Sequence, residues 1–313
     1  MKRKVLIQLA VPLLVLCALF FLLTYPVGQS HSRPAPLELS VIFREPDGDL
    51  WSTARQGMEQ AASDLNVELR FLLPTKANAA EEQRTLLSRE VEGGSGAILL
   101  IPADRAALAQ AVSAAAEKVP LVTLETDMTA YGATACVSPD NAALGKTLGK
   151  TVLNGVAEGG TVLLLCSVPG DNGVGERLEA AAAVLKAAGR EVVWSTSTDP
   201  EALTREGRIT QAKAVMGFEA SALEMAASVE NQPLPLVYGM GSTASIAAGL
   251  EQSRITAIAA QNEFSAGYLA VEAAVTAARH ETPRSVETLP FSLVRQENMY
   301  QSKNQKLLFP VTR

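Results

Sequence analysis

Short apolar runs alternate along this chain with longer stretches in which apolar positions recur every three or four residues. The first instance sets the pattern. Leu39, Val41 and Phe43 sit in a β-prone run, and Pro46-Asp47-Gly48-Asp49 then breaks it with four poor strand formers. Ala54, Met58, Ala61, Ala62 and Leu65 follow at helical spacing, with Arg55, Gln56, Glu59, Gln60 and Asp64 on the other face. Asn66 marks the helix exit, and residues 67–73 read as a second strand. This strand-helix-strand start puts the 44–51 turn at the carboxyl end of the first strand, where open parallel sheets place their ligands. Trp51 lies beside that turn.

The same alternation predicts helices over 81–91, 105–118, 141–156, 174–188, 220–229, 244–252 and 263–279. Strands are predicted over 97–101, 121–124, 133–137, 161–166, 191–194, 214–217, 236–240 and 256–260, with an extended end over 287–295. Between residues 199 and 211 the helical pattern is brief and poor in large apolar residues. Regular alternation of strand and helix means parallel sheets with helices on both faces. About ten strands exceed one comfortable sheet, which predicts an α/β fold of two doubly wound sheets of about five strands each.

Composition narrows the function classes. With 313 residues, 48% hydrophobic and 19% charged, the chain is globular and long enough for about two domains. A net charge of −6 and no clustered basic face exclude nucleic acid as a partner. Three Cys and two His do not support a structural zinc site, and Cys136 and Cys166, within apolar strands, read as buried free thiols. No Gly-x-Ser-x-Gly elbow, P-loop or paired-His motif appears, so neither catalysis nor a cofactor is expected. The loop from Gly170 to Gly175 has only a faint likeness to a dinucleotide-binding turn.

The amino terminus points to export. Lys2, Arg3 and Lys4 precede an uncharged run over residues 5–28, and about 20 apolar residues suffice to cross a membrane. Its length favours an uncleaved anchor over a signal h-region, although residues 24–32 offer room for cleavage. Cys17 follows the bulky Leu16 and does not match a lipoprotein cysteine; Pro34-Ala35-Pro36 reads as a stiff linker.

Several local motifs stand in a definite order. They are the opening strand with Asp47 and Leu50-Trp51, then Ala97-Ile98-Leu99-Leu100-Ile101-Pro102-Ala103-Asp104, Val119-Pro120-Leu121-Val122-Thr123-Leu124 and Val137-Ser138-Pro139-Asp140-Asn141. Gly175-Glu176-Arg177, Val237-Tyr238-Gly239-Met240 and Ala260-Gln261 follow. In this order the chain resembles the type 1 periplasmic binding proteins, the family of the ribose and galactose receptors, from about Leu39 to Met299.

The resemblance implies a two-lobed clamp that closes on a ligand, with chain crossings near 138–140, 261–263 and 290–293. Lobe one would be 38–138 plus 263–290 and lobe two 139–262 plus 291–313, preceded by an anchor or signal and linker over 1–36. It also implies ligand contacts from Asp47, Trp51, Glu125, Thr126, Arg177, Glu219 and Gln261. A sugar site wants carboxylates, amides and Arg for hydroxyls and an aromatic platform for the ring face. Glu125 stands at a family Asp, Thr126 replaces an Arg, and Gly241 stands where the family often carries an Asp.

Each residue also has a structural reading. Trp51 staples the first helix, Arg177 pairs with Glu176 or Glu179, Glu125, Glu219 and Gln261 cap the next helix, and Asp104 caps its own. The implied partners are a small sugar-like solute and either an ABC permease or a membrane sensor kinase.

Overall fold

The computed structural model describes residue 20 and residues 37–46, 51–167, 170–196, 199–229 and 235–309. Its strands run in chain order as β1 (Leu37–Ile42), β2 (Val67–Leu72), β3 (Ala97–Leu100), β4 (Leu121–Leu124), β5 (Ala135–Pro139) and β6 (Thr161–Leu165), followed by β7 (Glu191–Ser195), β8 (Ala214–Gly217), β9 (Leu236–Met240), β10 (Ala257–Gln261), β11 (Val286–Leu289) and β12 (Phe291–Val294). Interleaved helices are α1 (Ser52–Leu65), α2 (Ala80–Glu92), α3 (Arg105–Ala116), α4 (Asn141–Gly155), α5 (Gly173–Ala187), α6 (Pro200–Arg205), α7 (Arg208–Gln211), α8 (Ala220–Ser228), α9 (Ala244–Glu251), α10 (Glu263–Ala278) and α11 (Ser302–Leu308).

Among the described residues the strands form two six-stranded sheets, ordered β11-β5-β4-β3-β1-β2 and β12-β10-β9-β8-β6-β7. Each therefore holds one strand more than the count of five expected from the pattern. The extra strands come from the end of the chain. Pro290 divides the extended 287–295 stretch, because its nitrogen has no hydrogen to give a ladder. Before it β11 runs parallel to β5, and after it β12 runs antiparallel to β10 in the other sheet. All other strand pairs are parallel.

Central strands such as β3 (AILL) and β6 (TVLLL) are continuous apolar runs because helices cover both faces. In the first sheet α1 and α10 pack together on one face, and α4 and α5 form the equivalent pair on the second. The chain passes between sheets three times: at Asp140 after β5, at Asn262 after β10 and at Pro290. Two of these passages are helix caps, with Asp140 accepting from the Ala143 amide at 2.8 Å and Asn262 from the Ser265 amide at 2.9 Å.

The ambiguous 199–211 stretch is two short helices. Asp199 caps α6, the chain turns at Glu206-Gly207, and Leu203 and Ile209 supply the buried contacts. The pattern did not announce α11, which buries Leu308 against the second sheet. Cys136 and Cys166 are free and buried, and burial pushes both thiols up to about 12.

Candidate functional site

The carboxyl end of β1 sends Phe43 into the core of the first sheet and delivers Arg44 and Glu45 to the space between the sheets. Phe43 is buried and meets Trp51 edge-on, with ring centroids 6.0 Å apart and planes at 61°. Trp51 Nε1 donates to Glu45 Oε2 at 2.9 Å, Arg44 Nε donates to Glu45 Oε1 at 3.2 Å, and the Arg44 guanidinium lies 5.4 Å from the Trp51 ring. Trp51 thus staples α1 to the lobe and also lines the cleft. Asp47 lies outside the described residues.

Glu125 follows β4 in a left-handed backbone, with φ of 72°, a conformation uncommon for a residue other than glycine. One of its oxygens accepts from Arg44 Nη1 and the other from Arg177 Nη2. Burial alone would raise its pKa, but the Arg177 and Arg44 guanidiniums outweigh burial and hold it at about 2. Its carbonyl accepts from Ser138 Oγ at 2.9 Å and Asn141 Nδ2 at 3.0 Å. Glu125 therefore joins the first sheet to α5 of the second.

Arg177 is fully buried. Besides Glu125 it reaches Met240 Sδ, and its Nε has no partner. The pairing with Glu176 or Glu179 expected of a solvated face does not occur. Glu176 pairs instead with Arg105, which also holds Asp171 at 2.8 Å. Around that contact the Arg105 amide donates to the Asp171 carbonyl at 2.6 Å, and Asn172 Nδ2 donates to the Ala103 carbonyl at 2.7 Å. The glycine-spaced 170–175 loop is thus the amino-terminal end of α5, capped by Asn172 and docked on the opposite lobe.

Thr126 is not among the residues lining the cleft cavity. Its buried hydroxyl accepts from the Gly173 amide at 3.1 Å and so adds to the same lobe contact. Asp104 does cap α3, accepting from the Ala107 amide at 2.8 Å. Glu219 occupies the cap position of α8 without capping it, and its carboxylate turns to the Ser167 amide instead. Burial raises the Glu219 pKa, and Arg44 opposes that only in part. Gln261 ends β10 with its Oε1 sealed from solvent and unpaired. Glu263, the first residue of α10, is pushed up to about 7 by burial.

One cavity of about 60 Å³ is lined by Arg44, Glu45, Trp51 and Glu125 on one side, Glu219, Met240 and Gly241 on the other, and Gln261 and Glu263 at a chain crossing, while Arg177 lies behind Glu125 and does not line it. That is room for about two waters. Small-molecule sites run to roughly 300–1,000 Å³, so a ring-sized solute enters only if the lobes part. A larger groove of about 740 Å³ runs along α5 and β7 past the exposed Trp194, but it lies on the edge of one sheet and lacks convergent groups from both lobes.

At Gly241 any side chain, an Asp included, would be strained. Its φ is 135°, and a Cβ there would come within 2.5 Å of Ile246 Cδ1. Arg44 and Glu45 were missed by the motif reading. Their signal was position, as two charges directly after an apolar strand and inside the 44–51 turn.

Among the described residues no cluster of His, Cys, Asp and Glu suits a metal, and no helix is long and apolar enough to cross a membrane. Residues 5–28 and Cys17 lie outside the described residues, apart from residue 20.

Comparison with known proteins agrees with this architecture. A solute-binding protein of a carbohydrate transporter from Agrobacterium radiobacter, in complex with D-arabinose, superposes with a TM-score of 0.80 at 19% identity, over 88% of this chain and 99% of that one. GanP, a glucose-galactose binding protein from Geobacillus stearothermophilus, gives 0.74 at 18% identity, over 85% and 99%. The XylFII-LytSN complex gives 0.75 at 18% identity, over 84% and 99%. No curated protein sequence matches. The family model described as a periplasmic binding protein domain matches residues 39–282, most of the chain. By its sequence and by its two-sheet architecture, this chain belongs to the periplasmic binding protein family.

Proposed function

We propose that the chain is an extracytoplasmic solute-binding protein that closes two lobes on a small polar, sugar-like ligand and presents it to an ABC importer. It binds and does not catalyse. One observation carries the reading: an aromatic and charged wall, Trp51 with Arg44 and Glu45, faces Glu219 across a cavity between two lobes joined by three chain crossings. A ligand touching both walls favours the closed arrangement because it binds that arrangement better. The moving units are 38–138 with 263–290 and 139–262 with 291–313. Trp51, Glu125, Glu219 and Gln261 are the contacts we assign, with Arg177 acting from behind Glu125, Asp47 beside Trp51 and Thr126 supporting the lobe contact. The likeness to proteins described with D-arabinose and with glucose and galactose supports a sugar-like solute.

Thermal unfolding across a panel of pentoses, hexoses and polyols tests the proposal. One or more should raise the midpoint of the wild type, and Trp51→Ala should abolish that rise. An unchanged rise removes Trp51 from the site, and a panel without effect removes the function.

The fold shared with XylFII in a two-protein complex favours one second reading, a membrane-tethered sensor that reports occupancy to a partner such as a kinase. Residues 5–28 would be the tether. Amino-terminal sequencing of the exported protein decides this point, since a mature chain starting after Ser32 removes the tether.

A further inference from the structure

The polar groups around the cleft cavity divide into a balanced set and an unbalanced set. In the balanced set Glu45 and Glu125 face two guanidiniums, Arg44 and Arg177, so two negative charges meet two positive ones. Outside it stand Glu219 and Glu263, which line the same cavity and have no ion-pair partner among the described residues. Glu219 takes its hydrogen bonds from neutral groups of Ser167, the backbone amide among them. Beside them Gln261 Oε1 is buried with no donor. The three groups share one property: each offers an acceptor, and none has a cation in ion-pair contact, Arg44 and Arg177 being committed to Glu45 and Glu125.

A hydroxyl answers this arrangement poorly. It brings one donor and two lone pairs, which would be added to a corner already crowded with acceptors. An ammonium carries three donors, no acceptor and a positive charge. Its size also suits the cavity of about 60 Å³ that remains between the walls. We propose that the solute carries a primary amine, as an amino sugar or an amine-bearing polyol, with its ammonium seated among Glu219, Glu263 and Gln261. This rests on the solute-binding reading and names the class of solute.

Burial raises the pKa of both Glu219 and Glu263, the latter to about 7, because no cation in ion-pair contact offsets it. A bound ammonium favours their ionised forms, so affinity should rise between pH 6 and pH 7. The charged groups facing Glu263 are Glu125 after β4, Arg177 on α5 and Glu224 on α8; those facing Glu219 are Arg44 and Glu45 after β1. Arg44, raised by Glu125 and Glu45 beside it, keeps its charge throughout that interval, and Glu125, held at about 2, stays ionised.

The test is calorimetric titration of the full chain at pH 7 with D-glucosamine and D-glucamine against D-glucose and D-sorbitol, which differ from them by amine for hydroxyl. At least one amine should bind roughly tenfold or more tighter than its hydroxyl counterpart, about 1.4 kcal/mol. That preference should collapse in Glu219→Gln and Glu263→Gln, both near-isosteric changes that remove a charge without an ion-pair partner and so leave folding intact. Equal or tighter binding of glucose or sorbitol overturns the amine assignment while leaving a solute receptor. A preference that survives both substitutions overturns the seat assigned here. Binding of none of the four overturns the amine assignment, and the pentose and hexose panel then decides separately whether the chain is a solute receptor.

Discussion

Glu125→Gln should lower unfolding free energy by about 3–5 kcal/mol, the cost of leaving a buried charge without its partner. Glu125 is the carboxylate that Arg177 meets, and Arg177 is fully buried. A glutamine of the same shape keeps one acceptor but no charge, so the guanidinium stays desolvated and uncompensated. The acid limb provides a second reading of the same interaction. A carboxylate held at about 2, against an ordinary 4.5, contributes stability fully present above about pH 4.5 and lost as the pH falls toward 2. Wild type and variant should therefore converge as urea unfolding is repeated from pH 4.5 down to pH 2.5. Glu263 acts in the opposite sense, because a pKa raised to about 7 removes stability as the pH climbs from about 4.5 through 7. Partial recovery in Glu125→Gln/Arg177→Met would assign the loss to the stranded guanidinium. A single variant within about 1 kcal/mol of wild type at pH 7 would show that the contact across the lobes does not bear on stability.

The alternation of apolar runs and helical stripes predicted nearly every element, because strands covered on both faces must be continuous and apolar while covered helices must be striped. It failed where local chemistry overrides periodicity. Pro290 turns one extended stretch into two strands in different sheets, and Asp199 caps a helix too short to show a stripe. The site was legible as a set of strand ends, and Trp51, Glu125, Glu219 and Gln261 do line one cavity. What sequence order did not reveal was who pairs with whom. Arg177 is 52 residues from Glu125 and two from Glu179, yet it takes the distant partner, since only the buried carboxylate compensates a buried guanidinium. Thr126 was legible as a strand-end residue but not as a hydroxyl already committed to the Gly173 amide.

Gly267→Ala should destabilise the protein by about 2 kcal/mol or more, although alanine is the better helix former by about 1 kcal/mol. The reason is the crossing of α1 and α10. A Cβ on Gly267 would lie 1.9 Å from the Ala54 carbonyl oxygen, and one on Gly57 would lie 1.9 Å from that of Phe264. Each helix thus presents a glycine to the other's backbone, and backbone cannot move aside as a flexible side chain does. Relief comes only by separating the helices. Glu263 and Phe264 open α10, and Trp51 immediately precedes α1, so separation shifts two walls of the cavity together. Stability and ligand affinity should therefore fall in the same variant, measured by urea unfolding and by calorimetric titration. The sign decides the matter: a helical glycine with open space around it would gain stability on this substitution, and such a gain would show that the two helices do not meet at backbone distance.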